Sequence, residues 1–129
     1  MKNENNTLKI ALVQSILHWE NPNANRAMFS DKIEQIEEDI DVIVLPEMFT
    51  TGFTMSPQNI ASEEGSITLN WMKDIAARKN SAIIGSIVYN EKQTYFNRLF
   101  FVKPNGEIFT YDKRHTFTLA GEHKKYQSG

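Results

Sequence analysis

A chain of 129 residues that is 40% hydrophobic, 11% aromatic and 23% charged reads as one globular domain with a modest core. Fourteen basic residues against sixteen acidic ones leave a net charge of -2 with neither sign gathered in a long block, which argues against a nucleic-acid or anionic-membrane binder. The lack of any cysteine excludes a disulfide scaffold, a zinc ribbon and, within these residues, a thiol nucleophile.

Residues 1–7 form a polar, Asn-rich tail, and no apolar stretch of a signal peptide follows, so the cytoplasm is the expected compartment. The longest apolar runs fall far short of the ~20 residues that cross a bilayer, so no membrane partner is expected. Residues 8–14 (LKIALVQ) read as a strand covered on both faces. Asn21 and Pro22 open a helix whose apolar stripe is Phe29, Ile33, Ile36 and Ile40, with Asp41 as its expected close. Val42, Ile43, Val44 and Leu45 form a second strand, stopped by Pro46, which completes a βαβ unit.

Residues 47–64 are irregular, and a loop of that length usually carries function. Ser66 is the expected cap of a second helix with Trp71, Met72, Ile75, Ala76 and Lys79 on one stripe. Residues 82–89, 95–103 and 107–111 then read as strands, the last two joined by a turn at Pro104, Asn105 and Gly106. Residues 112–129 are charged and show no period. The class is layered α/β.

Several chemistries lack their motifs. The glycines stand singly, so neither a dinucleotide fingerprint nor a phosphate loop is present. No serine sits in a nucleophile elbow. His18, His115 and His123 have no metal-ligand spacing and read as loop imidazoles. No metal or cofactor is implied.

Three charged residues form a set: Glu47 in LPEMF, Lys113 in YDKRH and Glu122 in AGEH. The carboxyl ends of strands in an α/β sheet make the rim where ligands bind, so Glu47 and Lys113 can meet there despite their separation in sequence. Taken singly, a loop carboxylate or lysine is more often a plain surface charge. Met48 and Phe49 weigh against that for Glu47, because apolar neighbours desolvate a carboxylate and make it a stronger base.

The stretch LPEMFTTGF at 45–53, preceded by KIALVQ at 9–14 and followed by YDKRHTF at 111–117 and GEH at 121–123, resembles the nitrilase superfamily of carbon-nitrogen hydrolases. It is most similar to the ω-amidase branch, which deamidates ω-amides of 2-oxo acids such as 2-oxoglutaramate. The resemblance implies an α-β-β-α sandwich of which residues 8–129 are the amino-terminal half. It makes Glu47 the general base, Lys113 the oxyanion stabiliser and Glu122 the residue that orients the lysine and the substrate and helps to move protons. The nucleophile is then a cysteine downstream of the lysine that these residues do not reach, and the chain by itself is expected to be inactive. The implied partner is a small-molecule amide, and the full-length protein is expected to be a homodimer. A non-catalytic α/β module that binds a ligand or partner is the alternative.

A packing expectation follows. With the second sheet missing, an inner face built from Ile10, Leu12, Ile43, Ile84 and Phe100 is left partly open, which makes the chain prone to association.

Overall fold

The computed structural model describes residues 6–129, so most of the polar tail at 1–7 lies outside the described residues. In chain order the elements are β1 (Ile10–Leu12), α1 (Pro22–Glu34), β2 (Val42–Val44), a 3-10 turn (Pro57–Asn59), α2 (Glu64–Lys79), β3 (Ala82–Glu91), β4 (Thr94–Val102), β5 (Ile108–Asp112), a second 3-10 turn (Thr118–Ala120) and α3 (Glu122–Lys125). The five strands form one sheet in the order β1-β2-β3-β4-β5. The first three are parallel and the last three antiparallel, so both junctions after β3 are hairpins. The first hairpin turns at Lys92 and Gln93, both at positive φ, which matches the twist of the strands it joins.

Strand parity divides the sheet into two unlike faces. Ile43, Ile83, Ile87, Phe100 and Val102 point to the helices and join Phe29, Ile33, Met72, Ile75 and Ala76 in the main core. Phe29 meets the ring of Phe49 edge-on at 5.8 Å. The opposite face carries Ile10, Leu12, Ile84, Leu99, Phe101, Phe109 and Tyr111, and the registers Leu12↔Val44↔Ile84↔Phe101↔Phe109 run across it in one row. This face is uncovered over β1, where Leu12 is 74% and Ile10 50% exposed, and at Phe109 on β5, whereas Ser86, Val88 and Asn97 on the same face are buried. No helix of the described residues is long and apolar enough to cross a membrane.

The expectation for β1 is therefore corrected. It is covered on one face only, because both long helices pack on the same side. Ile43 and Phe100 are also corrected, since each is offset by one residue from the open-face positions and lies in the core, whereas Ile10, Leu12 and Ile84 are on the open face. Such an offset reverses a side chain's direction in a strand.

The first helix begins as expected, with the Asn21 side chain accepting from the Ala24 N–H at 3.1 Å. It ends at Glu34 rather than near Asp41. The acids Glu37, Glu38 and Asp39 would load the negative end of a longer helix with like charge. Ile36 and Ile40 still pack on the core from the connecting segment. The second helix starts at Glu64, two residues before the expected cap Ser66. Gly65 is then its second residue and lies against the Tyr89 ring, where a Cβ would stand 2.6 Å from a ring carbon.

Candidate active site

Glu47 stands at the carboxyl end of β2, in a turn tied to β3. The Leu45 N–H donates to the Ile84 carbonyl at 2.8 Å. The Met48 N–H donates to Ser86 Oγ at 3.0 Å and the Phe49 N–H to the Ser86 carbonyl at 3.2 Å. Met48 has a φ of 50°, a left-handed conformation that costs a non-glycine residue about 1 kcal/mol or more. Side chains on both sides of the turn hold it there. Phe49 is buried in the main core, and Met48 in a second cluster with Ile60, Val88 and Tyr126.

The expected desolvation of Glu47 by Met48 and Phe49 does not occur. Both neighbours turn inward, away from the carboxylate, and the Glu47 side chain is 47% exposed. Its surroundings are polar: Lys113 Nζ at 2.8 Å and Asn97 Nδ2 at 2.8 Å, both on Oε2.

Lys113 follows β5 and extends its ladder by one step, donating its N–H to the Asn97 carbonyl at 3.0 Å. Its ammonium bridges Glu47 and Glu122, at 2.8 and 3.0 Å, and lies 5.2 Å from the centre of the Phe53 ring. Burial acts to push the Lys113 pKa down. The Glu47 and Glu122 carboxylates outweigh it, so the net shift is upward from 10.5 and the ammonium stays charged.

Glu122 opens α3, just after Gly121 at a φ of 80°. Residues 112–129, read as irregular, thus contain two helical turns with a definite task. The Glu122 N–H donates to the Phe117 carbonyl, and Glu122 Oε1 accepts the Phe117 N–H at 2.6 Å, which closes a small ring. Glu122 Oε2 accepts from Asn97 at 3.1 Å. The side chain is fully buried. Burial pushes its carboxyl up, but the Phe117 N–H, the Asn97 amide and the Lys113 ammonium together pull it below 4.5. Behind it the phenol of Tyr126 donates to the Thr54 carbonyl at 2.7 Å, and burial with the Glu122 and Glu20 charges holds that phenol protonated.

All three residues named from the sequence therefore converge, with two carboxylates around one ammonium. Glu47 and Lys113 line a cleft of about 280 Å³ on the open face of the sheet, to which the buried Glu122 is joined through its bonds to Lys113 and Asn97. Leu45, Leu99 and Tyr111 supply its apolar walls, and Glu47, Ser86, Asn97 and Lys113 its polar part. A half-exposed carboxylate next to a fixed ammonium can take a proton while the ammonium stabilises a developing oxyanion. Sequence reasoning missed Asn97 and Ser86. A signal for Asn97 was available: it is a polar residue in the strand YFNRLFF, and a polar side chain in a buried strand position needs partners. His18, His115 and His123 are exposed, and among the described residues no group of three or more His, Cys, Asp or Glu is placed to hold a metal ion.

The sequence matches the carbon-nitrogen hydrolase family over residues 9–128. It is 42% identical over 123 residues to the omega-amidase YafV of Yersinia enterocolitica, covering 95% of this chain and 47% of that protein. It is 28% identical over 123 residues to the 2-oxoglutaramate amidase of Bacillus subtilis (strain 168), covering 93% and 48%. Among solved structures, a CN-hydrolase superfamily protein from Xanthomonas campestris with an arsenic adduct in its active site superposes with a TM-score of 0.87 at 36% identity, over 95% of this chain and 46% of that one. An amidase from Nesterenkonia sp. AN1, solved in complex with butyramide, has a TM-score of 0.83 at 19% identity, covering 95% and 48%, and shares the fold. The chain thus spans about half the length of the relatives it matches.

Proposed function

Because this chain belongs to the carbon-nitrogen hydrolase family, we propose that it carries three of the four catalytic groups of an amidase acting on a small ω-amide such as 2-oxoglutaramate. The observation that carries this reading is the convergence of Glu47, Lys113 and Glu122 beside a cleft, with Lys113 within 2.8 and 3.0 Å of the two carboxylates. The fourth group is a cysteine contributed from outside these 129 residues, which contain none.

Glu47 takes the thiol proton as the sulfur attacks the amide carbon. Lys113 faces the oxygen that gains charge, and one such donor in a water-poor site is worth ~3 kcal/mol. When the tetrahedral intermediate collapses, the C–N bond breaks, and the leaving nitrogen takes the proton from Glu47 and departs as ammonia. Water, activated by the same carboxylate, then cleaves the thioester to give the acid and restore the thiol. Glu122 stays ionised throughout and holds Lys113 in line. Residues 8–129 are on this reading the amino-terminal portion of a hydrolase domain that works in the cytoplasm as a homodimer and without a cofactor.

The test is ammonia release from 2-oxoglutaramate. The 129-residue chain should release none, and the polypeptide extended through the continuation of its reading frame should release it in a cysteine-dependent manner. Hydrolysis by the 129 residues alone overturns the assignment of a missing nucleophile. An extended polypeptide that contains a cysteine and hydrolyses no amide leaves the non-catalytic binding module as the reading.

A further inference from the structure

Asn97 touches all three members of the site. Its backbone carbonyl accepts the Lys113 N–H at 3.0 Å. Its side-chain Nδ2 reaches Glu47 Oε2 at 2.8 Å and Glu122 Oε2 at 3.1 Å. The Asn97 side chain is buried, so its bond to Glu122 is made away from solvent, while its bond to the half-exposed Glu47 lies at the edge of the cleft. An amide nitrogen has two hydrogens, and here each goes to a different carboxylate. Lys113 bridges the same two carboxylates from the other side, so the four groups close a ring: Glu47, Lys113, Glu122, Asn97. The reverse orientation of the amide would aim its carbonyl oxygen at two negative groups, which fixes the direction of the side chain.

The ring also distinguishes the two oxygens of Glu47. Both Asn97 and Lys113 donate to Oε2, and among the described residues no hydrogen bond reaches Oε1. Oxygen Oε2 has its lone pairs engaged by two donors, which leaves Oε1 as the better placed proton acceptor.

We infer that Asn97 is a positioning residue that yokes Glu47 to Glu122 and thereby assigns the role of base to Oε1 of Glu47. The catalytic part of this inference rests on the amidase reading, and the yoke itself rests on geometry alone. An alanine at 97 removes both donors and leaves the buried carboxylate of Glu122 short of one partner. An aspartate keeps the shape of the side chain but turns a double donor into a third carboxylate around one ammonium. A residue that mattered only for packing would tolerate the aspartate better than the alanine. A yoke would not.

Two measurements on the full-length protein test this. In the unsubstituted protein, the two side-chain amide protons of Asn97 are followed by heteronuclear NMR through an acid titration. One should move as Glu122 takes up its proton and the other as Glu47 does, and amide protons that stay fixed while both carboxylates titrate overturn the yoke. In the second, Asn97→Asp and Asn97→Ala are compared by steady-state kinetics with an ω-amide. Both should lose about tenfold or more in kcat, with KM changed by less than about twofold. Both should also move the acid limb of the pH profile upward, Asn97→Asp at least as far as Asn97→Ala. An Asn97→Asp protein with the parent's kcat and acid limb overturns the inference even if Asn97→Ala does not fold. A parent that hydrolyses no amide refutes the amidase reading instead, and the NMR titration then still decides whether Asn97 joins the two carboxylates.

Discussion

The ammonium of Lys113 lies 3.0 Å from Oε1 of Glu122, whose side chain is fully buried although the lysine itself is 29% exposed. A buried carboxylate without a counter-charge would be strongly disfavoured, and here one ammonium and two N–H donors meet it. Lys113→Met should therefore destabilise the chain by about 2 kcal/mol near neutral pH. Chemical denaturation at neutral and acid pH checks this, because the difference between the two proteins should disappear once Glu122 is protonated.

The pH dependence has a definite sign. The folded-state pKa of Glu122 is lowered, so its contribution is present above 4.5, the value in the unfolded chain, and is lost as pH falls through the lower folded value. The folded-state pKa of Lys113 is raised, so its contribution is fully present below 10.5 and is lost as pH rises through the higher folded value. Unfolding free energies measured across both ranges should fall at each end, and Glu122→Gln should flatten the acid end.

The two faces of the sheet should respond oppositely to substitution. Phe29 is fully buried against Phe49, and Phe29→Ala should cost about 3–5 kcal/mol in urea unfolding. Leu12 and Phe109 lie on the open face, exposed by 74% and 53%. Replacing both by lysine should leave the unfolding free energy nearly unchanged and reduce self-association of the 129-residue chain. Sedimentation velocity reads the difference, and an unsubstituted chain that sediments as a single monomer at all concentrations would contradict it.

Gly85 sets the close approach of β3 to the turn that carries Glu47. A Cβ there would stand 2.8 Å from the Phe49 ring and 3.1 Å from the Leu45 Cβ. Gly85→Ala should cost about 1–3 kcal/mol by overpacking. Because Phe49 is two residues from Glu47, it should also displace that carboxylate, seen as a shift in the Lys113 and Glu122 resonances by NMR.

If Lys113 and Glu47 act in the longer polypeptide as proposed, the effects of substituting them should be separable. Lys113→Met should lower kcat by ~10²–10³-fold. Glu47→Gln should lower it by ~10²–10⁴-fold. Single-turnover kinetics with and without hydroxylamine distinguishes slow acylation from slow thioester hydrolysis.

Local signals in the sequence determined much of this protein. Asn21 and Pro22 start a helix because one caps its N–H groups and the other lacks the N–H that would go unpaired. The β-branched run at 42–44 makes a strand, and the motifs around 47, 113 and 122 identify the charged set and the family. Each of these depends on a few neighbouring residues. Which face of the sheet the helices cover depends instead on packing, so Ile43 and Phe100 were assigned to the wrong side while Ile10 and Leu12 were not. The shortened first helix, the inward turn of Met48 and Phe49 that leaves Glu47 half exposed, and the meeting of Asn97 with two carboxylates from distant loops were decided by tertiary structure. They arise from contacts between residues far apart in sequence, where a one-residue change in strand parity or a single buried hydrogen bond outweighs any local preference.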